Sequence, residues 1–409
     1  AASDVYKRQL VYCNNVGIQN NGKNVFTYDG CSSAYNADGT LITSTEMYAD
    51  TLLECTWDTE TGTFVGDNSV AALPQEPESI YKALRYGTEK FLKQCGIKKM
   101  TIGLSGGIDS AITVAMYADI LGAENVLLIN LPSVYNSETT KNIAYNLAKN
   151  LGANYAVIPI SHSCEHTEEQ LTSTPITNMA SGSTFNLELS NIVKENIQAR
   201  DRGARIIAAA SAAFGGAFSC NSNKAEITVG YCTFYGDICG ALAMIGDLWK
   251  HQVYALGRYM NEQIFKREVI PEEIFTIRPS AELASSQTVG TGGDPLIYEY
   301  HDYLLASFVE NWHKTTPADI LRWYKAGTLA QELGCKEEVI ANAFPTPAEF
   351  IADLERWWKL FAGFSVAKRI QAPPIMSITK RAFGYDHREA QLTPYFSREY
   401  YKLKEELLK

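Results

Sequence analysis

Short apolar runs alternate along this chain with longer segments whose apolar residues recur every three or four positions. Residues 100–104, 125–131, 155–160 and 217–222 are of the first kind and read as buried strands. Residues 79–95 are of the second kind, with Ile80, Leu84, Gly87 and Phe91 on one face and Gly96 closing the helix. Residues 111–121 form another helix, through Ala111, Val114, Ala115, Ala118 and Leu121. Residues 133–152 read as loop then helix, with Ile143, Leu147 and Leu151 inward, and residues 187–213 as one long helix. Strands alternating with helices predict an α/β fold built on a doubly wound parallel sheet. Such sheets bind ligands at the carboxyl ends of their strands.

The flanks differ from this core. Residues 10–14 and 25–28 read as strands, and residues 32–36 and 41–43 as a hairpin around the Asp38-Gly39 turn. Residues 68–78 carry Pro74 and Pro77 and read as a linker. Residues 298–363 read as helices rich in Tyr and Trp, with Trp312, Trp323, Trp357 and Trp358 as core or subunit contacts. Residues 382–386 and the tail read as a packed extension. Residues 1–9 have no initiator Met and no apolar pattern, and residues 4–9 are what a transposon-end sequencing adapter spells in one frame. They are expected to be a non-native scar on a truncated gene. The expected divisions are 1–9, 10–66, a linker at 67–78, and one domain over 79–409.

The chemistry concentrates after the first core strand, in Ser105-Gly106-Gly107-Ile108-Asp109-Ser110. A glycine turn between a strand and a helix aims backbone N–H groups and a helix N-terminus at one spot, which suits a phosphate. G-x-G-x-x-G is absent, and no Gly-Lys-Ser/Thr follows, so neither a Rossmann fingerprint nor a Walker loop is present. Further on, residues 195–205 hold Asn196 and Arg200 four apart, with Arg202 and Arg205 on another face. These arginines suit a phosphate or carboxylate clamp. The segment reads equally well as a solvated charged face.

Composition narrows the classes. The chain has 409 residues, 46% hydrophobic and 20% charged, with a net charge of −10. A broad nucleic-acid surface would need the opposite sign. No apolar stretch is long enough to span a bilayer, so no membrane partner is expected. Nine cysteines (Cys13, Cys31, Cys55, Cys95, Cys164, Cys220, Cys232, Cys239 and Cys335) contain no C-x-x-C pair, which reads as reduced, cytoplasmic usage. His162, Cys164 and His166 offer metal-ligand types in a polar loop but lack a second half-site.

The loop at 105–110 resembles the pyrophosphate loop of the ATP pyrophosphatase superfamily, whose fold is adenine nucleotide alpha hydrolase-like. The ordered set that follows resembles glutamine-dependent NAD synthetases. It comprises Asn196 and Arg200 in an Asn-x-x-Ala-Arg helix, Glu226, Tyr235-Gly236-Asp237, Lys250, and Ser280 in a Pro-Ser-Ala segment. Residues 11–17 and 29–32 resemble the last strands of the nitrilase-like glutaminase domain that precedes such synthetases. Cys13 and Cys31 fall outside its nucleophile motif and read as packed side chains. The resemblance covers the chain from these strands to Lys368, where Ala367 replaces the family's His. Residues 284–295, with Gln287-Thr288 leading into glycines, depart from it and suggest a lid.

The resemblance implies a ligase that amidates nicotinic acid adenine dinucleotide to NAD through an adenylated carboxylate, releasing AMP and pyrophosphate. Asp109 and Lys250 would be catalytic. ATP would lie against Gly103, Leu104, Ser105, Gly106, Gly107, Ile108, Asp109, Ser110, Asn221, Lys250 and Ser280. The dinucleotide would meet Asn196, Arg200, Glu226, Asp237 and Lys368, and Asp109 with Glu226 would hold Mg²⁺. Ammonia would be the nucleophile, drawn free rather than from glutamine. The family also implies a homo-oligomer. Two alternatives stay open: another amidating member of the superfamily, such as a GMP synthetase, and a non-catalytic adenine-nucleotide-binding module.

Overall fold

The computed structural model describes residues 2–66, 70–280, 283, 293–379, 382 and 393–409. The expected lid thus lies outside the described residues except at 293–295, as do most of residues 382–386 and part of the linker.

One eight-stranded sheet organises the molecule. Its order is Asn154–Val157, Val126–Asn130, Met100–Gly103, Ala217–Cys220, Leu242–Ala243, Ile375–Ser377, Asn24–Asp29 and Val16–Asn21. Every neighbouring pair is parallel except the last, where Asn24–Asp29 turns back on Val16–Asn21. The chain lays its first three core strands outward from Met100–Gly103, then crosses back to Ala217–Cys220 on that strand's other side. This reversal is the switch point of a doubly wound sheet, where a crevice opens at the carboxyl ends.

The helices that cover the sheet end as their sequences ask. Glu78–Gln94 buries Ile80, Leu84 and Phe91. Glu138–Leu151 starts at Ser137, whose side chain accepts from the Thr140 N–H, and stops at Gly152 in the left-handed region. Ile108–Leu121 is buried nearly all round, as fits a helix between the sheet and its neighbours. Fully buried residues such as Leu84, Val114 and Leu128 each contribute about 1.5–3 kcal/mol. A second core gathers under the helices of 298–362, with Trp357 inside it and Trp323 and Trp358 packed against it. Trp312 is exposed.

Several sequence expectations are corrected. The helix expected over 187–213 begins at Asn191, runs to Arg200, passes through a π-helical stretch Asp201–Ile207, and resumes as Ala208–Phe214. The expected polar loop around His162 is the helix Ser161–Ser173. Among the described residues no three His, Cys, Asp or Glu side chains gather to hold a metal. Cys13 is exposed rather than packed.

The hairpin of residues 16–29 extends the same sheet as the core. The Ile375 N–H donates to the Lys23 carbonyl at 2.8 Å. Gly87 explains how the covering helix fits there. A Cβ at that position would come 2.4 Å from Thr27 Oγ1 and 2.5 Å from Met376 Sδ, so a larger residue would force these side chains of the hairpin and strand to shift. Residues 10–12, 33–35 and 41–44 form a separate three-stranded sheet. Among the described residues no helix is long and apolar enough to cross a membrane.

Candidate active site

A cavity of about 310 Å³ opens at the switch point. It lies at the small end of the roughly 300–1,000 Å³ range of ligand pockets. The strand Met100–Gly103 delivers the loop 105–110 to its wall, and the helix Ile108–Leu121 starts there. The loop is held by its own side chains. Ser110 Oγ donates to the Gly107 carbonyl at 2.9 Å, and Ser105 Oγ accepts from the Gly107 N–H at 3.2 Å. Gly106 has φ +88°, and a Cβ on it would sit 2.2 Å from the Thr140 carbonyl oxygen, so this position requires glycine. Two amides secure the strand end: Asn130 Nδ2 donates to the Leu104 carbonyl at 2.7 Å, and Asn221 Nδ2 to the Gly103 carbonyl at 2.9 Å.

Three charged groups from three segments converge beside this loop. Lys250 Nζ lies 2.5 Å from Asp109 Oδ2 and 3.8 Å from Glu226 Oε1. Asn223 Nδ2 donates to Asp109 Oδ1 at 3.1 Å, while Asn223 and Glu226 cap the short helix Lys224–Val229 reciprocally. Lys250 opens the helix Lys250–Tyr259, an end where the helix dipole disfavours a cation. The two carboxylates compensate. The Lys250 side chain is 3% exposed, against 18% for Asp109 and 17% for Glu226, so the carboxylates present more surface than the ammonium, although all three line the cavity.

The electrostatics follow. Burial pushes the Glu226 carboxyl well above its ordinary range; the Asp109 charge adds to this and Lys250 opposes it. Burial alone would depress the Lys250 ammonium, but Asp109 and Glu226 outweigh it and hold it above its usual value. Asp237 is likewise raised by burial, although its carboxylate accepts from the Thr233 N–H at 2.6 Å.

Thirteen of the expected residues line this one cavity: Gly103, Leu104, Ser105, Gly106, Gly107, Ile108, Asp109, Ser110, Asn221, Glu226, Asp237, Lys250 and Ser280. Asn196, Arg200 and Lys368 do not line it and instead hold the loop 230–237. Asn196 Oδ1 accepts from Thr233 Oγ1 at 2.7 Å, Arg200 Nε donates to the Phe234 carbonyl at 3.1 Å, and Lys368 Nζ donates to the Gly230 and Cys232 carbonyls at 2.6 and 2.5 Å.

The NAD synthase family model matches residues 80–333. The chain belongs to the NAD synthase family. The glutamine-dependent NAD(+) synthetase of Synechocystis sp. is 35% identical over 92% of this chain and 59% of its own length. That of Xanthomonas campestris pv. campestris is 30% identical over 93% and 61%. The chain thus spans about three-fifths of the length of these curated relatives. A structure of the glutamine-dependent NAD+ synthetase from Acinetobacter baumannii, in complex with ADP, superposes with TM-score 0.58 at 26% identity, covering 96% of this chain and 62% of that one. The Cytophaga hutchinsonii synthetase shares the fold, with TM-score 0.67 at 18% identity, covering 100% of this chain and 66% of its own.

The cavity also takes in Arg202, singled out in the sequence as a clamp candidate, and several residues that the sequence left unassigned. Arg202 donates from Nε to the Leu131 carbonyl at 3.0 Å and from Nη2 to Asn136 Oδ1 at 3.3 Å, and both partners are lining residues. Asn130, Tyr231, Arg278 and Asp294 line it too, and Asp294 accepts from the Tyr298 hydroxyl at 2.8 Å. For Asn130 and Asn136 a signal was available, since both fall at or just after the end of the second core strand. Arg205, singled out with Arg202, instead pairs with Asp201 at 2.5 Å.

Proposed function

We propose that this chain carries out the synthetase reaction: ATP-dependent amidation of nicotinic acid adenine dinucleotide to NAD, releasing AMP and pyrophosphate. The observation that carries the proposal is the meeting of Asp109, Glu226 and Lys250 beside the 105–110 loop, in a switch-point cavity of a NAD synthase family chain.

A carboxylate is a poor acylating agent, because ammonia cannot expel its oxygen. Attack of the pyridine carboxylate on the ATP α-phosphorus forms a P–O bond, expels pyrophosphate and leaves AMP as a good leaving group. Ammonia then adds to the carbonyl carbon, the C–O bond to AMP breaks, and a proton is lost as the amide forms. The residues supply charge complementarity for the first step. Backbone N–H groups of 105–110 and the Lys250 ammonium face the phosphates on which negative charge grows. Asn221, Asn130 and Ser110 keep the loop in place, so no reorganisation is needed as that charge develops. Ser280 also lines the cavity, and its hydroxyl would reach the same phosphates.

Asp109 and Glu226 fit a magnesium ion. They offer hard oxygen donors, and the upward shift of Glu226 reflects, after burial, a like charge beside it that a divalent cation would relieve. When bound, the ion would neutralise charge on the departing pyrophosphate. Arg200, Asn196, Asp237 and Lys368 gather around the loop 230–237, which we assign to the dinucleotide. Residues 10–66 we read as part of a nitrilase-like glutaminase domain, and we place the protein in the cytoplasm as a homo-oligomer.

The test is AMP, pyrophosphate and NAD formation from ATP, Mg²⁺ and the deamido dinucleotide, with ammonium and glutamine supplied in turn. Stoichiometric AMP and NAD with ammonium are expected. Pyrophosphate release with xanthosine monophosphate but not with the dinucleotide would overturn the assignment.

A further inference from the structure

Lys224 carries a buried charge that the reaction above does not use. Its side chain is 0% exposed. Its Nζ donates to Asp247 Oδ1 at 2.7 Å, to Glu310 Oε1 at 2.6 Å and to Thr379 Oγ1 at 3.2 Å. Asp247 also accepts the backbone N–H groups of Ile378 and Thr379, both at 2.8 Å. Glu310 accepts from the Trp249 indole at 2.8 Å, and the ammonium lies 5.1 Å from the centre of the Trp249 ring. The Lys224 N–H donates to the Leu248 carbonyl at 2.8 Å.

Buried ion pairs are a poor source of stability, since desolvation consumes most of the Coulombic gain. What they can supply is a fixed arrangement, and here the connected segments are informative. Lys224 follows Asn223, which donates to Asp109, and precedes Glu226, the capping partner of Asn223. Asp247 and Trp249 belong to the turn that ends at Lys250. A single ammonium therefore ties the segment bearing Glu226 to the segment bearing Lys250, and both meet at Asp109. Glu310, just past the helix Tyr298–Val309, braces the junction from the helical C-terminal region.

We propose that Lys224, Asp247 and Glu310 form a positioning triad that fixes the separation of Lys250 and Glu226 around Asp109. The triad touches no substrate and acts through Lys250. This rests on reading the cavity as the site of adenylation. A displaced Lys250 costs transition-state stabilisation more than ATP binding, so turnover should suffer before KM.

The experiment compares Lys224→Met and Glu310→Gln with the unaltered protein, alone and in a Lys250→Ala background. Expected is a kcat reduced about tenfold by Lys224→Met and about threefold by Glu310→Gln, with KM for ATP within about twofold. In the Lys250→Ala background neither substitution should lower kcat further, because residues acting as a unit are non-additive. Full additivity there, or unchanged kcat in both variants, would overturn the proposal. Glu310 is 31% exposed, so its variant keeps the test open should Lys224→Met fail to fold. Acetylation of Lys250 by an amine-reactive reagent, read by peptide mass spectrometry, gives a second measure independent of turnover. Labelling of Lys250 should rise several-fold in Glu310→Gln, and unchanged protection would count against the triad. An unaltered protein that makes no AMP would instead defeat the proposed activity and leave the labelling result to decide the triad.

Discussion

At one end of the cavity, Asp109 is gripped by Lys250 and Asn223, and both of these arise at helix starts. At the other, Asn196, Arg200 and Lys368 hold a loop, 230–237, in which Tyr235 has φ +54° and is exposed. The first end is built on strand and helix termini around a buried ammonium. The second is an irregular segment pinned from outside by longer side chains. Rigid elements suit groups that must meet developing charge without moving. Loops suit recognition of a ligand that arrives and leaves. The two ends should therefore fail differently when damaged, one in turnover and the other in binding.

The sharpest break is Lys250→Ala. It removes the ammonium and leaves Asp109 and Glu226 facing each other without a counter-charge. A fall of at least ~10²-fold in kcat is expected, in line with other charge-stabilising groups. Steady-state AMP formation checks this, and near-normal turnover would place the chemistry elsewhere. Glu226 should respond in a further way, its carboxyl moving still higher once the opposing charge is gone.

Next in size is Gly106→Ala. The φ of +88° and the 2.2 Å approach to the Thr140 carbonyl leave no space for a methyl group, and the obstacle is backbone. A strain of about 2 kcal/mol at such a position corresponds to a loss of about 30-fold. It should fall on kcat/KM for ATP, because the displaced N–H groups are those proposed to face its phosphates. If only thermal stability dropped while kcat/KM for ATP held, the loop would be scaffolding rather than a phosphate cradle.

The same contrast accounts for what the sequence disclosed. The rigid end was legible because each of its parts is local: a strand, a glycine turn and a helix start lie in eleven consecutive residues, and Lys250 opens its own helix. Glu226 and Asp237 were placed by family order, and the fold brings both to the cavity wall. The strands Leu242–Ala243 and Ile375–Ser377 were not legible, since two or three residues carry no periodicity and their partners lie far away in the chain. The hairpin of residues 16–29 was set apart from the core because nothing in its own pattern reveals Ile375 as a neighbour. Nor does periodicity distinguish a π-helical stretch. At Asp201–Ile207 the helix admits Gly203 so close to the loop that a Cβ would lie 2.0 Å from the Gly236 carbonyl, and it leaves Arg202 on the cavity while Arg205 turns to Asp201. A wider turn at a ligand-facing helix is a recurrent functional device. The tertiary contacts it makes here are not encoded in sequence spacing.

The smallest expected effect belongs to the looser end. Arg200 donates one hydrogen bond, to the Phe234 carbonyl, and its exposed guanidinium keeps other donors for a ligand. Replacement by Ala removes a charge-assisted contact worth about 1.5 kcal/mol, which is about tenfold in affinity. KM for the dinucleotide should rise by that factor, KM for ATP should hold, and kcat should stay within about twofold, because uniform binding lost from ground and transition states alike spares turnover. A fall in kcat as deep as that of Lys250→Ala would mean that the loop 230–237 is part of the rigid catalytic frame, and the division between the two ends would disappear. Unchanged KM for both substrates would move dinucleotide recognition to other cations that line the cavity, Arg202 and Arg278.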